Sequence, residues 1–329
     1  MLGSRFAARL NSFSSKPELF WEGKSTIETI DLINRAATVK GLTDIDLNYP
    51  DHTKKNFLDI ISCLKDSDLN INGLAMRYYD NPAFKLGAFT HPDKKIRQEA
   101  IDLTKNGIDC ARETGCNLMT LWLGQDGFDY SFQADYKDLW QKEIEAIHEV
   151  ALHDPECKIS IEYKPNEPRA YSLLPNLTST LLAISEIGLK NLGVTLDFAH
   201  LLYANEQPAF AAAMVSKKSQ LLGVHLNDAY GKRDDGLMVG SVHFHATVEF
   251  LYQIIQDGYD GVIYFDTFPN ITDLDPVKEC ETNINTVKQI LKVVQVLLKN
   301  NKLTESMKNQ DPISAQRIFN GALRNLNIE

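Results

Sequence analysis

The sequence predicts an α/β fold, a single (β/α)8 TIM barrel with a C-terminal helical extension, and three observations carry that reading. Strand-like and helix-like stretches alternate along the chain, as crossover connections in a parallel sheet require. The strand candidates number eight, the count that closes such a barrel. Four apolar runs in the second half each end on a potential metal ligand, at Glu162, Asp197, His225 and Asp266, with intervals of 35, 28 and 41 residues. Each interval is about one strand-loop-helix-loop unit, so the four side chains converge at one end of the barrel.

The candidate strands cover residues 6–10, 42–47, 71–76, 118–122, 159–162, 193–197, 222–226 and 262–266. Helical patterns between them, at 26–39, 54–64, 94–113, 135–152 and 208–219, form the outer ring. In the third, Ile96, Ala100, Leu103, Ile108 and Ala111 approximate an apolar stripe among charges. Asp275-Pro276 opens a long helix through Lys299, whose first part serves as the eighth helix. Residues 1–299 therefore make the barrel. Residues 300–329 carry a further weakly amphipathic segment around 313–326 that a finished barrel does not need; its expected use is contact within a homo-oligomer, a dimer or tetramer, and the plainer alternative is a frayed surface tail. No internal repeat or low-complexity linker marks a boundary inside the barrel.

Side chains alternate across a strand. In Ser-Ile-Glu162, Thr-Leu-Asp197, Gly-Val-His225 and Tyr-Phe-Asp266 the residue before each ligand is apolar, as one packed under the helices should be. All four ligands then point into the barrel together. A lone histidine in an apolar strand is more often a satisfied core residue, but three carboxylates at matching strand ends would be costly there without a cation.

Composition narrows the function. The chain has 329 residues, 43% hydrophobic and 24% charged, ordinary for a globular protein with a sizeable core. A formal charge of −10 disfavours a basic face for nucleic acid. Five scattered cysteines without CxxC or framework spacing read as reduced thiols. The first residues lack an apolar signal core, and no stretch of 18 apolar residues follows, so neither secretion nor a membrane span is expected. A cytoplasmic protein acting on a small molecule is the expectation.

The strongest local motif is Ile-Glu162-Tyr-Lys164-Pro-Asn-Glu167-Pro-Arg169. A carboxylate and an amine two residues apart at a strand end point the same way, so Lys164 can reach a substrate oxygen that a Glu162-bound metal also polarises. The run resembles the Glu-Pro-Lys-Pro-Asn-Glu-Pro-Arg motif of xylose isomerases, with Tyr163 in place of one proline. Phe84-Lys-Leu-Gly-Ala-Phe-Thr90 is similar to the family's Phe-Lys-x-Gly-x-Phe-Thr, and Leu121-Trp122-Leu-Gly-Gln-Asp-Gly127 to its Trp-Gly-Gly-Arg-Glu-Gly turn. Gly258-Tyr-Asp-Gly261 and Phe265-Asp266 are similar to its final strand.

The resemblance implies a metal-dependent aldose-ketose isomerase, like the xylose and rhamnose isomerases, with Glu162, Asp197, His225 and Asp266 holding a divalent ion. This oxygen-rich set suits Mn2+ or Mg2+, with Co2+ also accommodated. In Asp197-Phe-Ala-His200 the resemblance places a second ion on His200, with Asp234 as another ligand. There the chain departs: the family's Asp-x-Asp-Leu becomes Asp234-Asp235-Gly236-Leu237, so either Asp235 substitutes or the second site is weaker. A second departure puts Asn48 where xylose isomerases have a ring-opening histidine, and an amide is no general base. Either His52 serves from a shifted loop, or the substrate needs little help in opening.

Lys164, Glu162, His200 and Asp234 are thus the catalytic candidates. Trp122, Asn48, His52, Asn227 and Phe89 are the substrate-contact candidates, Trp122 as a wall for a sugar's apolar face and Phe89 as either wall or core. His243 and His245 read as surface histidines. A ketose 3-epimerase on the same barrel is the alternative; such enzymes end the ligand series on glutamate, where this chain has the shorter Asp266. A trinuclear-zinc nuclease would need more early histidines and a basic face. A phosphate site near strands seven and eight is disfavoured by Asp234 and Asp235, which favours an unphosphorylated sugar.

Overall fold

The computed structural model describes residues 3, 5–24, 26–54 and 57–324. Eight parallel strands close into a barrel in sequential order: β1 (Phe6–Arg9), β2 (Asp44–Tyr49), β3 (Asn70–Met76), β4 (Leu118–Trp122), β5 (Lys158–Glu162), β6 (Leu192–Asp197), β7 (Leu221–Leu226) and β8 (Ile263–Phe265). The ring shuts where β8 pairs with β1 through Phe6 and Ile263, Ala7 and Tyr264, Ala8 and Phe265. Around it lie α1 (Thr29–Ala36), α2 (Phe57–Asp66), α3 (Lys94–Glu113), α4 (Tyr136–His153), α5 (Leu177–Ile187), α6 (Pro208–Lys218), α7 (Phe244–Gln256) and α8 (Pro276–Leu298).

Local chemistry sets the boundaries. The helix expected over 26–39 is confined to α1 because Glu28 and Asp31 form a reciprocal capping box at its start. The helix expected from residue 54 begins at Phe57; Lys55 and Asn56 lie outside the described residues. The strand expected over 42–47 shifts to 44–49, which brings Asn48 into the sheet. Sequence periodicity did not mark α5, because Leu-Thr-Ser-Thr-Leu-Leu-Ala-Ile carries no charge to outline a polar face. Its ends are nevertheless signalled: the Asn176 side chain accepts from the Ser179 amide, and Gly188 ends it in the left-handed region at φ +72°. The start of α7 is capped from a distance, where Asp228 accepts from the amides of Val242 and His243 at 2.8 Å each.

The alternation rule holds at all four ligands. Ile161, Leu196, Val224 and Phe265, the residue before each, are buried in the main core between barrel and helices. Register aligns Trp122 with Glu162, Asp197 with His225 and His225 with Tyr264, so these side chains share the inner face. Small and polar groups fill the interior below them, including Ala7, Thr120, Ser160 and Thr195, with the last two hydrogen-bonded at 2.6 Å.

Beyond α8, helices α9 (Asn301–Lys308) and α10 (Pro312–Arg324) fold back on the same chain. Leu303 and Ala322 are buried, Ile318, Phe319 and Leu323 pack against the core, and the Phe319 ring lies 4.6 Å from that of His245 on α7. The segment expected around 313–326 for oligomer contact thus packs Ile318, Phe319 and Leu323 against its own chain and leaves Ile313 exposed; Leu326 lies outside the described residues. All five cysteines are free. Among the described residues no helix is long and apolar enough to cross a membrane.

Candidate metal centre and active site

Glu162, Asp197 and His225 end β5, β6 and follow the inner face of β7, and Asp266 sits one residue past β8. One ligand atom from each of the four lies within 4.8 Å of the others. His225 Nδ1 is 3.1 Å from Glu162 Oε1. Burial would raise the Glu162 carboxyl, but the charges of His225 and His200 overcome this and hold it down at about 2. Burial lowers His225, and Glu162, Asp266 and Asp197 outweigh it, raising the imidazole to about 9. Asp197 and Asp266 are both pushed up, by burial first and by neighbouring carboxylates after it.

These residues fit a divalent cation. Among the described residues Asp266 Oδ1 is buried without a hydrogen-bond partner, and three carboxylates converge on a single imidazole, an arrangement that a hard cation neutralises. The ligands are also held by a supporting partner. Asn227 donates to both oxygens of Asp197, at 3.2 and 3.1 Å, and to the Asp266 carbonyl at 3.0 Å, while its own oxygen accepts from the Ala199 amide at 2.8 Å. Fully buried and with its polar atoms engaged, Asn227 orients ligands, and the substrate contact expected of it is not formed from this position.

A second cluster adjoins the first. Asp197 also caps the short helix Phe198–Tyr203 by accepting from the His200 amide at 3.0 Å, which swings His200 toward Glu162. His200 Nδ1 faces the Tyr163 carbonyl at 3.0 Å; because a carbonyl only accepts, this nitrogen carries a proton. Its Nε2 is 3.2 Å from Asp234 Oδ2, the same oxygen that Lys164 Nζ approaches at 3.2 Å. Lys164 also pairs with Glu167 at 2.9 Å. Burial lowers the Lys164 ammonium's pKa, but Asp234 and Glu167 outweigh that and hold it above its ordinary value. His200 and Lys164 in turn hold Asp234 well below its usual range against burial, and Asp234 Oδ1 is left without a partner.

The options left by Gly236 are resolved by geometry. Asp235 does not line the cavity: one of its oxygens accepts from the Tyr230 amide at 2.9 Å and the other pairs with Arg233 at 2.7 Å. Gly236 has φ +56°, and a Cβ there would lie 2.3 Å from the Phe268 ring. Gly236→Asp is therefore expected to cost about 1–3 kcal/mol of stability, read as a lower urea midpoint, without adding a bound Mn2+. A variant of unchanged midpoint that takes up a further ion contradicts this geometry.

The two clusters open into one cavity of about 270 Å3, near the lower end of small-ligand pockets at ~300 Å3 and suited to a monosaccharide. Glu162, Lys164, His200, Asp234 and Asp266 line it, and Trp122 and Phe268 supply apolar walls. Three of the expected substrate contacts lie elsewhere. Phe89 is wholly buried with its ring 5.6 Å from Tyr78. His52 Nδ1 accepts from the Asn48 backbone amide at 3.0 Å, and burial together with the Arg77 charge lowers this imidazole to about 4. Asn48 is buried, its amide 3.4 Å from Asn11 Oδ1. His243, at the start of α7, pairs with Asp228.

The sequence reading missed Arg9 and Arg77, which also line the cavity. The same alternation that found the ligands could have found them: Ala8-Arg9 ends β1 and Met76-Arg77 follows β3, each a polar residue after an apolar one.

Metal affinity is expected to rise with pH. A ligand protonated in the free protein must lose its proton to coordinate, and His225 is raised to about 9. Mn2+ affinity should then climb toward pH 9, by up to about tenfold per unit for each proton released, and calorimetry in buffers of different ionisation heat should detect that release. A flat profile between pH 6 and 9 would sink this account.

Comparisons with known proteins agree with the architecture. The family model described as xylose isomerase-like TIM barrel matches residues 36–290. A xylose isomerase of Thermus thermophilus is 27% identical over 209 residues, 62% of this chain and 54% of that protein, so the match spans about half the relative's length. Among solved structures, a D-tagatose 3-epimerase-like protein superposes with a TM-score of 0.66 at 19% identity, over 88% of this chain and 98% of that one. An L-ribulose 3-epimerase gives 0.68 at 16% identity, over 89% and 96%. A xylose isomerase domain protein from Alicyclobacillus acidocaldarius gives 0.66 at 15%, over 88% and 99%. At such identities these structures speak for the fold alone. With the family model covering most of its length, the chain belongs to the xylose isomerase-like TIM barrel family.

Proposed function

We propose that the protein interconverts an aldose and a ketose, using a divalent ion, Mn2+ or Mg2+, held by Glu162, Asp197, His225 and Asp266. The observation that carries the reading is the pairing on one strand end of Glu162, in the ligand cluster, with Lys164, whose ammonium is fixed by Asp234 and Glu167 in the same cavity. When bound, the ion polarises the substrate's oxygens as a Lewis acid.

The chain's own residues supply the rest. Isomerisation moves a hydride from the second carbon to the first and a proton from the second oxygen to the first. Lys164, kept charged by two carboxylates, donates to the oxygen on which negative charge develops. Asp234, kept ionised by His200 and Lys164, holds that ammonium in the cavity through Oδ2, and the hydroxyl proton passes between the substrate's own two oxygens. Trp122 and Phe268 cover the sugar's apolar face and exclude water from the transfer.

An isotope experiment tests the mechanism. With deuterium at the second carbon of the substrate, hydride transfer retains the label in the ketose product. Loss of the label to water would overturn hydride transfer in favour of proton transfer through an enediol; a 3-epimerase, which moves a proton at the third carbon of a ketose, would instead place solvent deuterium at that carbon.

A further inference from the structure

We propose that the β1–β3 side of the cavity is an anion subsite, in which Arg9 and Arg77 recognise a phosphoryl or carboxylate group on the sugar. The inference rests on reading the cavity as a sugar site, and names the substrate class within it.

The cavity carries unmatched positive charge. The other cation in the cavity, Lys164, is already engaged by Asp234 and Glu167. Arg77 is half-buried and lines the same cavity, yet among the described residues it forms no ion pair; its side-chain bond is to the Met76 carbonyl at 3.3 Å. Its charge is felt by Glu162 and Asp80, but neither carboxylate pairs with it. A guanidinium offers five donors, so most of Arg77's capacity is unspent. Arg9 is partly matched: its Nε forms a loose ion pair with Asp266 Oδ1 at 3.6 Å and its Nη1 donates to Asn270 Oδ1 at 3.4 Å, which leaves its other donors for a ligand.

Both groups are pre-positioned. Arg9 stacks 4.8 Å from the Phe268 ring centroid, and Arg77 lies 5.9 Å from that of Trp122. A ring beside each guanidinium limits where it can swing, and its planar fork suits a carboxylate or phosphoryl group in a bidentate pair. The strands carrying them flank β2, and His52, which follows β2, is held neutral partly by both charges. The barrel end is therefore divided, with metal-type ligands on β5–β8 and guanidinium groups with donors to spare on β1 and β3. A neutral sugar gives Arg77 no counter-ion. The argument against a phosphorylated sugar applied to the β7–β8 side, where Asp234 and Asp235 lie, and does not reach this one.

The test uses probes that cannot be isomerised because they lack an aldehyde or ketone. Binding of sorbitol, sorbitol 6-phosphate and gluconate to the Mn2+-loaded full chain is measured by calorimetry, and repeated with Arg77→Met and Arg9→Met. We expect an anionic probe to bind at least about tenfold tighter than sorbitol, and Arg77→Met to reduce that preference by about ten- to a hundredfold, with Arg77→Lys restoring part of it. Preference for sorbitol 6-phosphate alone identifies a phosphoryl group, and preference for gluconate alone a carboxylate. Equal binding of all three by the unaltered protein overturns the proposal without relying on any variant. So does a preference that survives both arginine substitutions, since the anion is then held by the metal. A chain that shows the preference and yet isomerises no sugar refutes the proposed reaction and leaves the anion subsite standing.

Discussion

Glu162→Gln is expected to lower Mn2+ affinity by more than about a hundredfold and to abolish measurable isomerisation. The substitution keeps the shape of the side chain but replaces a carboxylate by a neutral amide at the centre of the cluster, 3.1 Å from His225 and 3.7 Å from His200. Removing a partner that merely orients a ligand costs about ten- to a hundredfold in metal affinity, so losing a charged ligand should exceed that range. Titration with Mn2+ followed by its electron paramagnetic signal measures the first effect, and turnover of a sugar panel the second. A glutamine variant that keeps its metal and full activity would remove Glu162 from the centre.

The second large effect is expected at Lys164. Lys164→Met should cut turnover by about a hundred- to a thousandfold, the range seen when one preorganised donor to a developing negative charge is removed, and leave Mn2+ affinity within a few fold. The split follows from placement: Lys164 contacts Asp234 and Glu167, and none of the four clustered ligands. Asp234 retains His200 as a partner, so the loss does not strand a buried carboxylate alone. If metal affinity falls in parallel with turnover, Lys164 is a structural support. If turnover is unchanged, it has no part in the chemistry.

Much of this was legible in the residues. The strand period and the strand-to-strand interval are local properties of the chain, and they were enough to predict eight strands, one barrel, and inward-facing Glu162, Asp197, His225 and Asp266. Element ends were less legible, because α1 is shortened by a capping box and α7 is capped by Asp228 from 14 residues away. The substrate contacts were read least well. Phe89 and Asn227 have residue types that suit a pocket, but one packs against Tyr78 and the other spends its amide on Asp197 and Asp266.

By itself the sequence determined the fold class and the identities of the groups at the strand ends, since alternation and spacing are written into consecutive residues. Tertiary structure alone decided what those groups do for one another. It turned Asp235 to Arg233, set Phe268 against Gly236, brought Lys164 and His200 to the same oxygen of Asp234, and left Arg77 without an ion pair among the described residues. The physical reason is that hydrogen-bond partners, burial and charge compensation depend on side chains tens of residues apart, and these meet only when β8 closes against β1.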